Sequence, residues 1–131
     1  MTGMLASVTD ASEAEIAVNA GADLIDCKDP RGGALGALPV SMIDAIRRQV
    51  AGRRPVSATV GDLPATAAAL VPAVRRIAAT GVDFVKLGLF RTVGIDPLLA
   101  VHLQGVGLHG RHRWRRSLGC LSLGHSWQNQ E

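Results

Sequence analysis

An α/β fold built on a parallel sheet is what this sequence predicts, and three observations predict it. Apolar runs of strand length recur at Met4–Val8, Ala22–Lys28, Val56–Val60 and Val82–Leu87. Each gap between them holds a segment of helical length with apolar residues at helical spacing. Connections of that length join parallel neighbours through right-handed crossovers, whereas antiparallel strands need only tight turns. The composition agrees. Of 131 residues 47% are hydrophobic, yet there are two Phe, two Trp and no Tyr, so the core is built of Ala, Val, Leu and Ile. Such small side chains suit helices packed closely on one sheet, and the length fits one small domain.

The elements follow in order. Met4–Val8 is the first strand. Thr9-Asp10-Ala11-Ser12 offers cap residues, and Ser12 with Glu15 has the spacing of a capping box. The helix behind it runs to about Ala20, and Gly21 stops it. A second strand over residues 22–28 leads into Asp29-Pro-Arg-Gly-Gly-Ala-Leu-Gly-Ala, a glycine-rich loop long enough to wrap a ligand. Pro39 sits near the start of the second helix, where its missing N–H does no harm, and Ile43, Ile46 and Val50 form its apolar stripe. Val56–Val60 is the third strand, closed by Gly61-Asp62. A helix from about Pro64 to Thr80 turns Leu70, Val74, Ile77 and Ala78 inward, and Gly81 ends it before the strand Val82–Leu87.

Chemistry concentrates at the strand exits. Asp26 and Lys28 lie two residues apart, so on a strand they share a face. A buried unpaired charge costs several kcal/mol, on the order of 2–7 for polar groups and more for ions, so such residues persist when paired or useful. A structural ion pair is one reading and a reactive lysine with an acidic neighbour is the other. The chain has two lysines, Lys28 and Lys86, against twelve arginines, and both lysines fall near the C-terminal ends of expected strands. An amine can lose its proton and attack a carbonyl, which a guanidinium cannot do. Asp26 is placed to shuttle protons. Ser57 and Thr59, on one inward face, and Asp62 in the following loop are candidate substrate-binding groups.

An internal echo adds a geometric expectation. Ala17-Val-Asn-Ala-Gly-Ala-Asp-Leu-Ile-Asp-Cys-Lys28 aligns with Ile77-Ala-Ala-Thr-Gly-Val-Asp-Phe-Val-Lys-Leu-Gly88, which sets Asp26 at the level of Lys86. In a (β/α)8 barrel the inward side chains of alternate strands share a layer. Asp26 and Lys86 are therefore expected in one layer, with Lys28 above them and beside Asp26.

The runs Gly21-Ala-Asp-Leu-Ile-Asp-Cys-Lys-Asp-Pro30, Gly33-Ala-Leu-Gly-Ala37, Val56-Ser-Ala-Thr-Val-Gly-Asp62 and Gly81-Val-Asp-Phe-Val-Lys-Leu-Gly-Leu89 resemble the (5-formylfuran-3-yl)methyl phosphate synthase family, also named for 4-(hydroxymethyl)-2-furancarboxaldehyde phosphate. The resemblance covers roughly residues 4–96. It implies the N-terminal half of a TIM barrel and a lyase that condenses two glyceraldehyde 3-phosphate molecules for methanofuran-type coenzymes of C1 metabolism. It implies Lys28 as the Schiff-base nucleophile, Lys86 as a second catalytic amine, Asp26 in proton transfer, and no metal or cofactor. The family also uses an aspartate, a lysine and phosphate-binding loops from the second half of its barrel, and no lysine follows Lys86 here. A non-catalytic barrel fragment or assembly module, or another class I aldolase-type phosphosugar enzyme, are the alternatives.

From residue 97 the character changes. Residues 1–96 carry ten basic and ten acidic side chains and eighteen alanines; residues 97–131 carry four arginines, one glutamate, one alanine, all four histidines and both tryptophans. The excess behind the net charge of +3 thus belongs to this segment. Arg111-His-Arg-Trp-Arg-Arg116 interleaves cations with an aromatic ring as nucleic-acid-binding segments do, and His109, His112 and Cys120 are a conceivable metal set whose spacing fits no zinc pattern. The favoured expectation is an irregular basic tail, loose or locally helical, as from translation in a shifted frame. Without its second half the barrel expects a partner copy. Early acidic residues argue against a signal peptide, no apolar run approaches a membrane span, and Cys27 and Cys120 lack a C-x-x-C spacing. Those features predict a cytoplasmic protein with reduced thiols, and the resemblance implies a small phosphorylated substrate.

Overall fold

The computed structural model describes residues 2–88, together with the backbone of residues 113–117 and 120–124. Four strands, β1 (Leu5–Val8), β2 (Leu24–Cys27), β3 (Val56–Thr59) and β4 (Phe84–Gly88), alternate with three helices, α1 (Ala11–Asn19), α2 (Val40–Val50) and α3 (Ala67–Ala78). All four strands run parallel in the order β1-β2-β3-β4. Because every crossover advances by one strand and right-handed crossovers are the rule, the helices collect on one face. A reversal of strand order would have split them between two faces.

Strand alternation sorts the residues. Ile25 and Cys27, Val56 and Ala58, and Val85 and Leu87 point to the helices, where they form one core with Ile43, Ile46, Val50, Leu70, Val74 and Ile77. Asp26, Ser57 and Thr59 are the alternate residues and look to the other face, yet they too are almost completely buried. Asp23 and Asp83, the aspartates that follow the helix-ending turns, serve the backbone: their carboxylates accept from the N–H of Met4 and of Val56, each next to a strand start.

Several local expectations shift. The capping interaction lies two residues earlier than Ser12–Glu15: Asp10 caps α1 by accepting from the N–H of Glu13, and Glu13 reaches back to the N–H and hydroxyl of Thr9. Glu15 instead meets Arg53, just beyond the end of α2, and Gln49 of α2, which hold its carboxyl down at about 2. The third helix begins only at Ala67, since Thr66 caps it and Pro64 lies outside.

The expected loose or helical tail also differs. Residues Arg113–Ser117 (β5) and Cys120–Gly124 (β6) form an antiparallel pair, and β6 lies antiparallel against β4. A hairpin satisfies backbone groups without needing the apolar periodicity that the segment lacks. The side chains of Arg111–Arg116, and the set His109, His112 and Cys120, lie outside the described residues. Among the described residues no helix is long and apolar enough to cross a membrane, and no group of three metal-ligating side chains occurs.

Candidate active site

The face of the sheet away from the helices is where charge is buried. Asp26, at the penultimate position of β2, is 1% exposed and carries the site's carboxylate. Three donors converge on it. Ser57 Oγ donates to Oδ1 at 2.5 Å, Lys86 Nζ binds Oδ2 at 2.6 Å, and Ser7 Oγ lies 3.4 Å from Oδ2. The strand register explains the convergence, because Ser7, Asp26 and Ser57 are direct neighbours across β1, β2 and β3. A carboxylate withdrawn from water is tolerable only with such compensation, and breaking the pair would leave an uncompensated charge.

Lys86 does not stand level with Asp26 along the ladder. It pairs with Thr59, two pairs beyond Ser57, and reaches Asp26 diagonally. The expected companion of Asp26 was Lys28, and here the structure corrects the sequence. Lys28 follows the last residue of β2 and continues the ladder through its N–H to the Val8 carbonyl, on the same face as Asp26. Two residues of strand place it about 7 Å further along. Among the described residues its amine makes no hydrogen bond or ion pair. Lys28, Thr59 and Lys86 thus fall on one row, with the two lysine Cα atoms two strand spacings apart, about 10 Å. Side chains of that length can reach one small molecule from both sides.

The hydroxyl of Thr59 is occupied. It donates to the Gly36 carbonyl at 2.8 Å, and the same carbonyl accepts from the Asp29 N–H at 2.9 Å. These bonds tie the glycine-rich loop down over the strand ends beside Lys28. Gly36 admits no side chain, since a Cβ there would lie 2.0 Å from the Asp29 carbonyl oxygen. Asp62 is exposed, and its carboxylate rests against Gly33, where a Cβ would come within 2.2 Å of it. The two loops that follow β2 and β3 therefore touch, and Thr59 and Asp62 shape the rim.

Cys27 sits beside Asp26 in sequence but on the helix side. Burial first, and the Asp26 charge second, push its thiol up to about 12. A thiol so placed is no nucleophile near neutrality. Sequence reasoning missed Ser7; the signal was a hydroxyl in the apolar run Leu5–Val8, at the position that strand pairing sets opposite Asp26.

Comparison with known proteins bears on the same residues. The sequence model of the family described as 4-HFC-P synthase matches residues 4–112. A provisionally named (5-formylfuran-3-yl)methyl phosphate synthase of Methylorubrum extorquens is 50% identical over 86 residues, 66% of this chain and 36% of that protein. The enzymes named (5-formylfuran-3-yl)methyl phosphate synthase from Methanopyrus kandleri and Methanocaldococcus jannaschii are 44% identical over 98 residues and 42% over 87. Those alignments cover 75% and 66% of this chain, and 41% and 37% of the relatives. The chain thus spans well under half the length of the curated relatives it matches.

Proposed function

The chain belongs to the 4-HFC-P synthase family, and on that premise we propose that it carries the carbonyl-capturing half of a Schiff-base lyase acting on glyceraldehyde 3-phosphate. The product would be (5-formylfuran-3-yl)methyl phosphate, a precursor of methanofuran-type coenzymes. The observation that carries the reading is the division between the two lysines. Lys86 is bound to a buried carboxylate, while Lys28 stands on the same face with no partner among the described residues.

A free amine attacks the aldehyde carbon of a triose phosphate and, with loss of water, becomes an iminium. The iminium withdraws electrons from the adjacent carbon, whose proton then leaves as an enamine forms. The enamine adds to the carbonyl of a second triose phosphate. Joining two trioses, closing the ring and releasing one phosphate and two further waters beyond those exchanged at the imine balances the furan product. Lys86 and Asp26, one ion pair reaching into that face, are the groups suited to move protons over these steps. Ser57, Thr59 and Asp62 act around them: Ser57 on Asp26, and Thr59 and Asp62 on the loops at the rim.

We further propose that the four parallel strands are half of a (β/α)8 barrel. Sequential order with helices on one face supports it, and so does the diagonal Asp26–Lys86 contact. A shear of about 8 over eight strands displaces a shared layer by one residue per strand, hence by two residues over two strands. That displacement separates Lys86 from Phe84, the residue on the Asp26–Ser57 row.

Incubation with glyceraldehyde 3-phosphate tests the activity. The expected result is furan-aldehyde absorbance with release of one phosphate per product, both abolished in Lys28→Ala. Aldol product without a furan chromophore would favour another aldolase-type enzyme, and no turnover of any kind would favour the non-catalytic fragment.

A further inference from the structure

Asp26 is held by more than its ion pair. Its two carboxylate oxygens are bound differently: Oδ1 takes the hydroxyl of fully buried Ser57 at 2.5 Å, whereas Oδ2 takes Lys86 at 2.6 Å. A carboxylate can swing about its Cβ–Cγ bond, and a lysine amine can leave for water. Ser57 removes the first freedom, because a donor fixed on the neighbouring strand immobilises Oδ1 and so aims Oδ2 at Lys86. The strand pairing Asp26↔Ser57 makes that donor a property of the sheet, not of a mobile loop.

We infer that Ser57 is a positioning residue, not a substrate ligand: through Asp26 it keeps Lys86 engaged and so leaves Lys28 as the amine that captures the carbonyl. The inference rests on the reading of this face as a Schiff-base site. Ser57 has no need to touch substrate for it. A hydroxyl whose hydrogen is committed to a buried carboxylate at 2.5 Å is a poor donor to anything else. Ser7, exposed and 3.4 Å from the same carboxylate, does not provide an equivalent anchor.

The chain's two lysines make the test direct. The folded chain is treated with formaldehyde and cyanoborohydride for short times, and methylation at Lys28, Lys86 and the N-terminal amine is read by peptide mass. In the wild type Lys28 is expected to react faster than Lys86. In Ser57→Ala the ratio of Lys86 to Lys28 labelling rises about tenfold, the equivalent of one lost charge-assisted hydrogen bond. Ser57→Thr, which keeps the hydroxyl, restores the wild-type ratio, and Ser57→Cys, a near-isostere with a weak donor, falls between. If the alanine variant does not fold, the cysteine and threonine variants carry the comparison. Loss of fold also brings the ratio near one, but it raises Lys28 as well as Lys86 against the N-terminal amine, whereas loss of the clamp raises Lys86 alone. An unchanged ratio in Ser57→Ala or Ser57→Cys beside a raised one in Asp26→Asn overturns the inference, as does equal labelling of the lysines in the wild type. Trapping of glyceraldehyde 3-phosphate by borohydride is run in parallel. Its failure with the methylation pattern intact sinks the Schiff-base reading and leaves the clamp standing.

Discussion

The two faces of the four parallel strands solve opposite problems with the same backbone. Towards the helices, Ile25, Cys27, Ala58, Val85 and Leu87 pack against Ile43, Ile46, Leu70, Val74 and Ile77, and among the described residues no charged one belongs to that buried cluster. On the other face, one residue out of phase, Asp26 and Ser57 are equally buried but polar, and the charge of Lys86 closes over them. Fold stability resides on the first face, where a cavity is the only penalty for change. The buried polar groups lie on the second, where each removed group strands another. The contrast also separates two ion pairs. Glu15–Arg53 joins two exposed side chains between helices and is screened by water, while Asp26–Lys86 lies where water is scarce.

The sharpest way to break that contrast is to damage each face in turn. Ile46→Ala is expected to lose about 3 kcal/mol of unfolding free energy in urea titration while leaving the methylation ratio of the two lysines unchanged. Lys86→Met removes the partner of Asp26 and is expected to cost somewhat less, about 2–3 kcal/mol, because the lysine side chain is 21% exposed. Adding Asp26→Leu to Lys86→Met should restore most of the loss, since a matched apolar pair leaves no charge stranded. A double variant no better than the single one would mean that the second face is held by something other than charge compensation.

A smaller effect comes from Cys27. Its thiol is raised from 9.0 to about 12 by burial and by Asp26. A group whose folded value lies above its unfolded one contributes stability in full below the unfolded value and loses it as the pH climbs. Stability is therefore expected to fall from about pH 9 upward to about pH 12, and Cys27→Ala should flatten that limb of the pH–stability curve. A variant that keeps the full slope would place the cause elsewhere.

Much of this was legible in the sequence, for physical reasons. Strands and helices of residues 4–88 declare themselves through apolar period and through glycines that end helices, such as Gly21 and Gly81, both at positive φ. The sharing of one face by Asp26, Lys28, Ser57, Thr59 and Lys86 followed from strand alternation alone. Their partners did not. Which oxygen a hydroxyl meets depends on strand register, and nothing in the sequence set Ser57 opposite Asp26 or gave the hydroxyl of Thr59 to Gly36. The echo between the second and fourth strands did set Asp26 and Lys86 in one layer; that Lys86 and not Lys28 closes the ion pair depends on the diagonal reach of its side chain, which spacing does not give. The antiparallel pair at 113–124 was hidden because Arg113-Trp-Arg-Arg-Ser117 has one apolar residue, and its pairing is a matter of backbone hydrogen bonds.

The division of labour between the lysines is tested most directly by trapping. The folded chain is mixed with glyceraldehyde 3-phosphate, reduced with borohydride and mapped by peptide mass. One reduced adduct is expected, on Lys28, which disappears in Lys28→Ala without moving to Lys86. An adduct on Lys86 in the wild type, or none on either lysine, would contradict it.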